Sequence, residues 1–196
     1  MTALLPWRVR GKPHRVMLFV DGENLAIRYG NMLGDKELPD HVHFKKDEYV
    51  WSDVLNAALE LYEMSRSHYY TSAIGTDDVR EIVEDTLRSF RMDAPRVFQR
   101  FKGRGSKRVD ISLTTEFLMH AFRDNYDIAI LVSGDEDFVP AVEAVADHGK
   151  MIVLWALPDG LSPALRRAVH HYFDLSKVLL TDKPAAWATV FHDKPL

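Results

Sequence analysis

Residues 15–24 read RVMLFVDGEN, a short run of apolar and β-branched residues that ends abruptly in an acidic, turn-forming group. The same pattern returns at residues 126–138, which read YDIAILVSGDEDF. Continuous apolar runs of this length, closed by Gly and Asp, are typical of strands buried on both faces of a parallel sheet. The two stretches therefore predict two core strands, each followed at once by carboxylates.

The rest of the chain alternates strand-like and helix-like stretches. Further strands are predicted at residues 69–74, 96–102 and 151–157. Stretches with helical apolar spacing lie between the strands, at residues 53–64, 76–90, 109–122, 137–147 and 161–171. Strands that alternate with helices imply right-handed crossovers and a mainly parallel sheet. The predicted fold class is therefore α/β.

One domain with two short extensions is the expected organisation. We predict an N-terminal extension at residues 1–14, a domain at residues 15–180 and a C-terminal tail at residues 181–196. Inside the domain, the polar segment 31–46 contains Gly and Pro and is predicted to be an inserted loop.

Composition excludes several classes of protein. The 196 residues include 46% hydrophobic and 28% charged residues, which is typical of a globular domain. The chain has no cysteine, which excludes disulfides, thiolate metal sites and cysteine nucleophiles. A net charge of −4 argues against a uniformly basic nucleic-acid binder. The longest apolar run, residues 151–157, is shorter than the roughly 20 residues needed to cross a bilayer. We expect a cytoplasmic protein with no membrane partner.

Acidic side chains follow the two core strands. Asp21 comes directly after the first, and Asp135 and Asp137 follow the fourth. Ligands of parallel sheets bind at the carboxyl ends of strands, where the strand order reverses. Residues 107–116, KRVDISLTTE, place Asp110 near the start of a helix. If this helix packs beside the two strands, its acids face the same crevice.

Clustered carboxylates at such a point indicate a divalent cation. Like charges raise one another's pKa values, and a bound cation relieves the repulsion. Mg²⁺ and Mn²⁺ prefer carboxylate and water oxygens, and two such ions can clamp a phosphodiester for hydrolysis. The residues leave an alternative open, since each Asp could instead cap a helix or form a turn.

A basic stretch precedes the helix that carries Asp110. Residues 96–108 read RVFQRFKGRGSKR, with six basic residues and no acid. The residues expected to contact substrate phosphates are Arg104, Ser106, Lys107 and Arg108. Phe98 or Phe101 is a candidate for stacking on a base. The alternative is an edge strand whose basic side chains block aggregation.

Four motifs, taken together in order and spacing, carry a resemblance to a known family. They are FVDGENL (19–25), KRVDISLTTE (107–116), SGDEDFVPAVEAVADHGKMIVLW (133–155) and LSPALRRAVHHYFDL (161–175). The chain resembles the NYN family of PIN-like nuclease domains over roughly residues 15–175, and is most similar to its LabA-like bacterial branch.

The resemblance implies a fold and a set of site residues. The fold would be a PIN-like three-layer α/β/α sandwich with strands ordered about 3-2-1-4-5. The catalytic, metal-binding residues would be Asp21, Asp110, Asp135 and Asp137, with Mg²⁺ or Mn²⁺ as cofactor. The supporting residues would be Asn24, Ser133 and Glu116, the last standing where the family usually has Asp. His170 stands where the family often has another Asp, and a His there could meet a phosphate.

The implied function is metal-dependent endoribonuclease activity on single-stranded RNA. A non-catalytic RNA- or protein-binding regulatory module on the same fold is the alternative. Other α/β phosphoryl-transfer enzymes fit less well: a topoisomerase–primase-like site needs Glu where Asp21 stands, and a haloacid-dehalogenase-like site needs Asp where Glu23 stands. The sequence leaves open RNA against DNA as substrate, the preferred metal, and whether the chain forms a homo-oligomer.

Overall fold

The computed structural model of this protein describes residues 14–60, 62–100 and 107–183. Most of the predicted N-terminal extension and most of the predicted tail lie outside this part of the chain. The predicted phosphate contacts Arg104 and Ser106, the side chain of Lys107, and Phe101 also lie outside it.

Eight strands and seven helices make up the described part of the chain. The strands are β1 (Arg15–Asp21), β2 (Val42–Lys45), β3 (Tyr49–Ser52), β4 (Glu63–Ile74), β5 (Ala94–Arg100), β6 (Ile128–Val132), β7 (Met151–Ala156) and β8 (His171–Asp174). The helices are α1 (Gly22–Leu33), α2 (Asp53–Leu59), α3 (Asp77–Ser89), α4 (Lys107–Phe122), α5 (Val139–Asp147), α6 (Pro163–Ala168) and α7 (Ser176–Leu179). A short 3-10 turn, Glu136–Phe138, leads into α5. None of these helices has the length and apolar composition to cross a bilayer.

Six strands form one sheet in the order β5-β4-β1-β6-β7-β8. Every neighbouring pair in it is parallel. The predicted order 3-2-1-4-5 is confirmed, because β5, β4, β1, β6 and β7 are the five predicted strands. The structure adds a sixth strand, β8, beside β7.

The apolar run of β1 supplies both cores of the domain. Val16, Leu18 and Val20 pack on one side of the sheet with α1, α2 and α3. Met17 and Phe19 pack on the other side with α4, α5 and α6. Side chains of a strand alternate between the two faces of a sheet, so an unbroken apolar run fits a strand that is covered on both faces. The three-layer α/β/α architecture is thereby confirmed.

Segment 31–46 is more regular than the predicted loop. Its first residues complete α1, and residues 42–45 form β2, which pairs in antiparallel fashion with β3. The ring of Phe44 in β2 lies 5.0 Å from the ring of Tyr29 in α1. This apolar contact holds the hairpin on α1, and the prediction of an irregular loop is corrected to that extent. Helix α2 also ends before residue 64, because β4 already begins at Glu63.

A methyl group at Gly22 is expected to destabilise the fold. A Cβ there would lie 2.0 Å from Cε1 of Tyr69. Tyr69 is fully buried, and its hydroxyl both accepts from the N–H of Val50 and donates to its carbonyl oxygen, so the ring cannot move freely. We expect Gly22→Ala to lower the free energy of unfolding by about 2–3 kcal/mol, measured by urea denaturation. Asn31→Ala, at an exposed position of the same helix, is the control. Equal stability of the two variants would contradict the packing described.

Candidate functional site

A buried carboxylate stands at the carboxyl end of β1. Asp21 is only 2% exposed to solvent. Its Oδ1 accepts a hydrogen bond from the backbone N–H of Asn24 (3.2 Å), and its Oδ2 accepts one from the hydroxyl of Ser133 (2.9 Å). The first bond caps α1, and the second ties β1 to the loop that follows β6. Asp21 therefore links the carboxyl ends of the two central strands, β1 and β6.

The loop after β6 is held by a chain of short polar contacts. The Oγ of Ser133 accepts from the N–H of Asp135 (3.1 Å), and Oδ1 of Asp135 accepts from the N–H of Asp137 (3.0 Å). The N–H of Gly134 donates to Oδ1 of Asn24 across the strand gap (3.3 Å). The backbone of Asn24 and the hydroxyl of Ser133 thus contact Asp21, whereas the side chain of Asn24 contacts Gly134. Asp135 is left half-buried and Asp137 exposed.

The negative charges of this region act on one another. Burial raises the pKa of Asp21 to about 7, against the hydrogen bonds from Ser133 and Asn24, and the charges of Asp110 and Asp135 add to the increase. Asp110, in the first turn of α4, also has a raised pKa. The main cause of this increase is burial, followed by the negative charges of Asp135, Glu23 and Asp137. Helix α4 therefore brings Asp110 to the carboxylates that follow β1 and β6.

The four aspartates share an electrostatic environment without forming a closed cage. In the described residues, three ligand atoms within 4.8 Å of one another occur at His68, Glu116 and His120, and no three of the aspartates meet that limit. We call this region, in which Asp21 is buried, the charges of Asp110 and Asp135 act on it and Asp137 is exposed, the acidic crevice.

Glu116 does not join this crevice. Its Oε2 accepts a hydrogen bond from the hydroxyl of Tyr70 (2.8 Å) and lies 3.0 Å from Nδ1 of His68. Its Oε1 lies 3.2 Å from the guanidinium of Arg96. The hydrogen bond from His68 contributes most to lowering the pKa of Glu116 to about 2, and Tyr70 and Arg96 add to it. The carboxylate that was expected to support the acidic site instead joins α4 to β4 and β5.

Three residues near the aspartates were not predicted from the sequence as site residues: Glu23, Ser72 and Arg100. The Oε2 of Glu23 accepts a hydrogen bond from the hydroxyl of Ser72 (2.7 Å), and its Oε1 lies 3.0 Å from Nη1 of Arg100. Both side chains of the ion pair are largely buried. Glu23 is a fifth carboxylate beside Asp110, and its place within the DGEN motif is the signal that could have found it.

Two other candidate contacts have structural partners. The ring of Phe98 is half-buried, and the guanidinium of Arg108 lies over it, 5.8 Å from its centroid. The Nδ1 of His170 accepts a hydrogen bond from the N–H of Ile152 (3.1 Å). Ile152 is near the amino end of β7, whereas the acids lie at the carboxyl ends of the strands. His170 is therefore away from the crevice.

Comparison with known proteins gives a family and a fold. The family model of the NYN domain matches residues 15–177. A solved structure of a protein of unknown function from Vibrio parahaemolyticus is similar, with a TM-score of 0.60 and 19% sequence identity over 82% of this chain and 91% of that chain. At this identity the likeness shows the fold alone. No curated protein sequence matches the chain.

Asp21→Asn is expected to stabilise the fold above neutral pH. The pKa of Asp21 is raised from its usual 3.8 to about 7, so the folded chain binds this proton more tightly than the unfolded chain. The resulting stabilisation is fully present below pH 3.8 and is lost as the pH rises through about 7. Above that pH the buried charge is unfavourable, and an uncharged amide removes it.

Urea unfolding at about pH 8 and about pH 4 measures this effect. At the higher pH we expect the variant to exceed the wild type by about 2 kcal/mol, and at the lower pH the difference should nearly vanish. Asp147→Asn makes the same chemical change at an exposed position of α5 and should alter neither value. A variant that is less stable than the wild type at the higher pH would show that the carboxylate is not strained by burial.

Proposed function

The chain belongs to the NYN domain family, and on that premise we propose that it is a metal-dependent endoribonuclease that hydrolyses phosphodiester bonds of single-stranded RNA. The family lies within the PIN-like nuclease superfamily, which supports a hydrolase. One observation carries the proposal: the negative charges of Asp110 on α4 and of Asp135 after β6 add to the burial that raises the pKa of Asp21 at the carboxyl end of β1. Parallel sheets bind their ligands at the carboxyl ends of their strands.

The donor set of the crevice fits a hard divalent cation. Its side chains offer carboxylate oxygens, the ligands that Mg²⁺ and Mn²⁺ prefer, and the chain has no cysteine. The residues that would hold the ion are Asp21, Asp110, Asp135 and Asp137. A bound ion would supply an activated water and would stabilise the leaving oxygen of the cleaved phosphodiester.

The chain's own residues prepare the crevice for that ion. Ser133 and Asn24 hold Asp21 and the loop after β6 in place through four hydrogen bonds formed within the protein. Groups held by hydrogen bonds within the protein need little reorganisation when an ion binds. The cation of Arg100 lies against Glu23 and balances one negative charge at the rim.

An exposed cation in the first turn of the helix that carries Asp110 supports a polyanionic substrate. Arg108 is exposed in the first turn of α4, two residues before Asp110. The first turn of a helix also favours negative charge, because its N–H groups and dipole point outward. We propose that the residues contacting backbone phosphates are Arg104, Ser106, Lys107 and Arg108. We also propose that the protein acts on RNA in the cytoplasm.

A second candidate function is binding without cleavage. Among the described residues, no three aspartates come as close together as the group at His68, which favours a regulatory module that binds RNA or a protein partner. Such a module would use the basic residues and would tolerate loss of any single Asp.

Cleavage assays with a matched pair of variants test the proposal. The substrates are labelled single-stranded RNA and DNA of the same sequence, with Mg²⁺ or Mn²⁺ and with a chelator. We expect metal-dependent cleavage of RNA that falls at least about 100-fold in Asp135→Asn, because a proposed metal ligand is removed. Asp147→Asn, which is exposed at the end of α5, should cleave like the wild type.

Each other outcome has a definite meaning. Activity that survives in Asp135→Asn would overturn the assignment of the acidic crevice as the active site. No cleavage by the wild type, with RNA binding retained in the chelator, would favour the regulatory module. Equal cleavage of DNA would contradict the preference for RNA.

A further inference from the structure

A second group of titratable side chains lies between β4 and α4, on the side of the sheet that α4 covers. His68 comes from β4, whereas Glu116 and His120 come from α4. One ligand atom from each of the three lies within 4.8 Å of the other two. Glu116 and His120 are four residues apart, so they project from the same face of the helix.

This group is distinct from the acidic crevice. Glu116 follows Asp110 by six residues, which is about 9 Å along a helix axis. The contacts of Glu116 are with His68, Tyr70 and Arg96 and with none of the four aspartates. Anything that binds here therefore uses a different set of side chains from the proposed nuclease site.

His68 carries a buried nitrogen without a partner. The residue is 1% exposed, and its ring stacks on that of Phe19 at a centroid distance of 5.2 Å. Its Nδ1 faces Glu116 (3.0 Å) and the hydroxyl of Tyr70 (3.2 Å), but its Nε2 has no hydrogen-bond partner. The nitrogen that faces Glu116 and could share an ion with it is Nδ1, and the ring proton would then sit on Nε2.

His120 has the surroundings of a metal-ligating histidine. The side-chain amide nitrogen of Asn125 lies 2.8 Å from its Nδ1. When Nε2 binds an ion, a half-turn of the amide lets its oxygen accept the Nδ1 proton instead. Histidine ligands are commonly held through their second nitrogen in this way. His120 is only half-buried, which gives an ion a route to the group from solvent.

We propose that His68, Glu116 and His120 bind one Zn²⁺ ion. Two imidazoles and one carboxylate are a known donor set for zinc, with a fourth position left for water. Imidazole suits zinc better than it suits Mg²⁺ or Mn²⁺, so this site would prefer zinc to the ions proposed for the acidic crevice. Arg96 contacts Oε1 of Glu116 and leaves Oε2 on the side of His68. Zinc bound here would fasten α4, the helix that carries Asp110, to β4.

Zinc titration of the chelator-treated full chain, followed by calorimetry, tests the site. We expect one Zn²⁺ per chain, and an affinity at least about tenfold weaker in His120→Ala and in Glu116→Gln. His148→Ala, which removes an exposed histidine at the end of α5, should bind zinc like the wild type. Asp135→Asn should also bind like the wild type, because it alters only the acidic crevice. The visible spectrum of Co²⁺ bound in place of zinc gives a second readout.

Three results would overturn the proposal. They are no zinc binding by the wild type at micromolar concentrations, unchanged binding in His120→Ala, and binding that is lost in Asp135→Asn. The third result would move the ion to the acidic crevice. Circular dichroism shows whether His120→Ala folds. If it does not, the nearly isosteric Glu116→Gln decides between the outcomes.

Discussion

The hydrogen bond between the Ser133 hydroxyl and the buried carboxylate of Asp21 joins the carboxyl ends of the two central strands, β1 and β6. After β1 the chain builds the sheet outward through β4 to β5, then returns along α4 and continues on the other side of β1 with β6. The carboxyl ends of β1 and β6 therefore meet where the strand order reverses, which leaves a crevice. The bond from Ser133 spans that crevice, and the return helix α4 delivers Asp110 to it.

The same arrangement opposes folding stability. Burial raises the pKa of Asp21 to about 7, so its ionised form is unfavourable where it stands. Asp110 and Asp135 add like charge from neighbouring elements. Groups that destabilise a fold in this way are typical of functional sites, because a bound cation turns the repulsion into attraction. The group around His68 differs, since the carboxylate of Glu116 there is stabilised by His68, Tyr70 and Arg96.

The strands could be predicted from the sequence because unbroken apolar runs mark strands that are covered on both faces. Their order could not be read from these runs and came from the resemblance to the NYN family. Asp21 and Asp135 followed from the same runs, since they come directly after them. Glu116 could not be placed by proximity in sequence: six residues turn a helix by about 240°, so it points away from Asp110. The contact of Glu23 with Arg100 joins residues 77 apart in sequence and depends on β4 and β5 lying on the same side of β1. The hairpin inside segment 31–46 was missed because a short, polar strand pair gives little periodic signal.

Anomalous diffraction from crystals of the protein grown with Mn²⁺ tests the central claim most directly. Manganese should bind at the carboxyl ends of β1 and β6, in contact with Asp21 or Asp135, with Asp110 facing it from α4. Its occupancy should fall in Asp135→Asn crystals under the same conditions. An ordered manganese elsewhere, with none among these aspartates, would show that the acidic crevice is not a metal site.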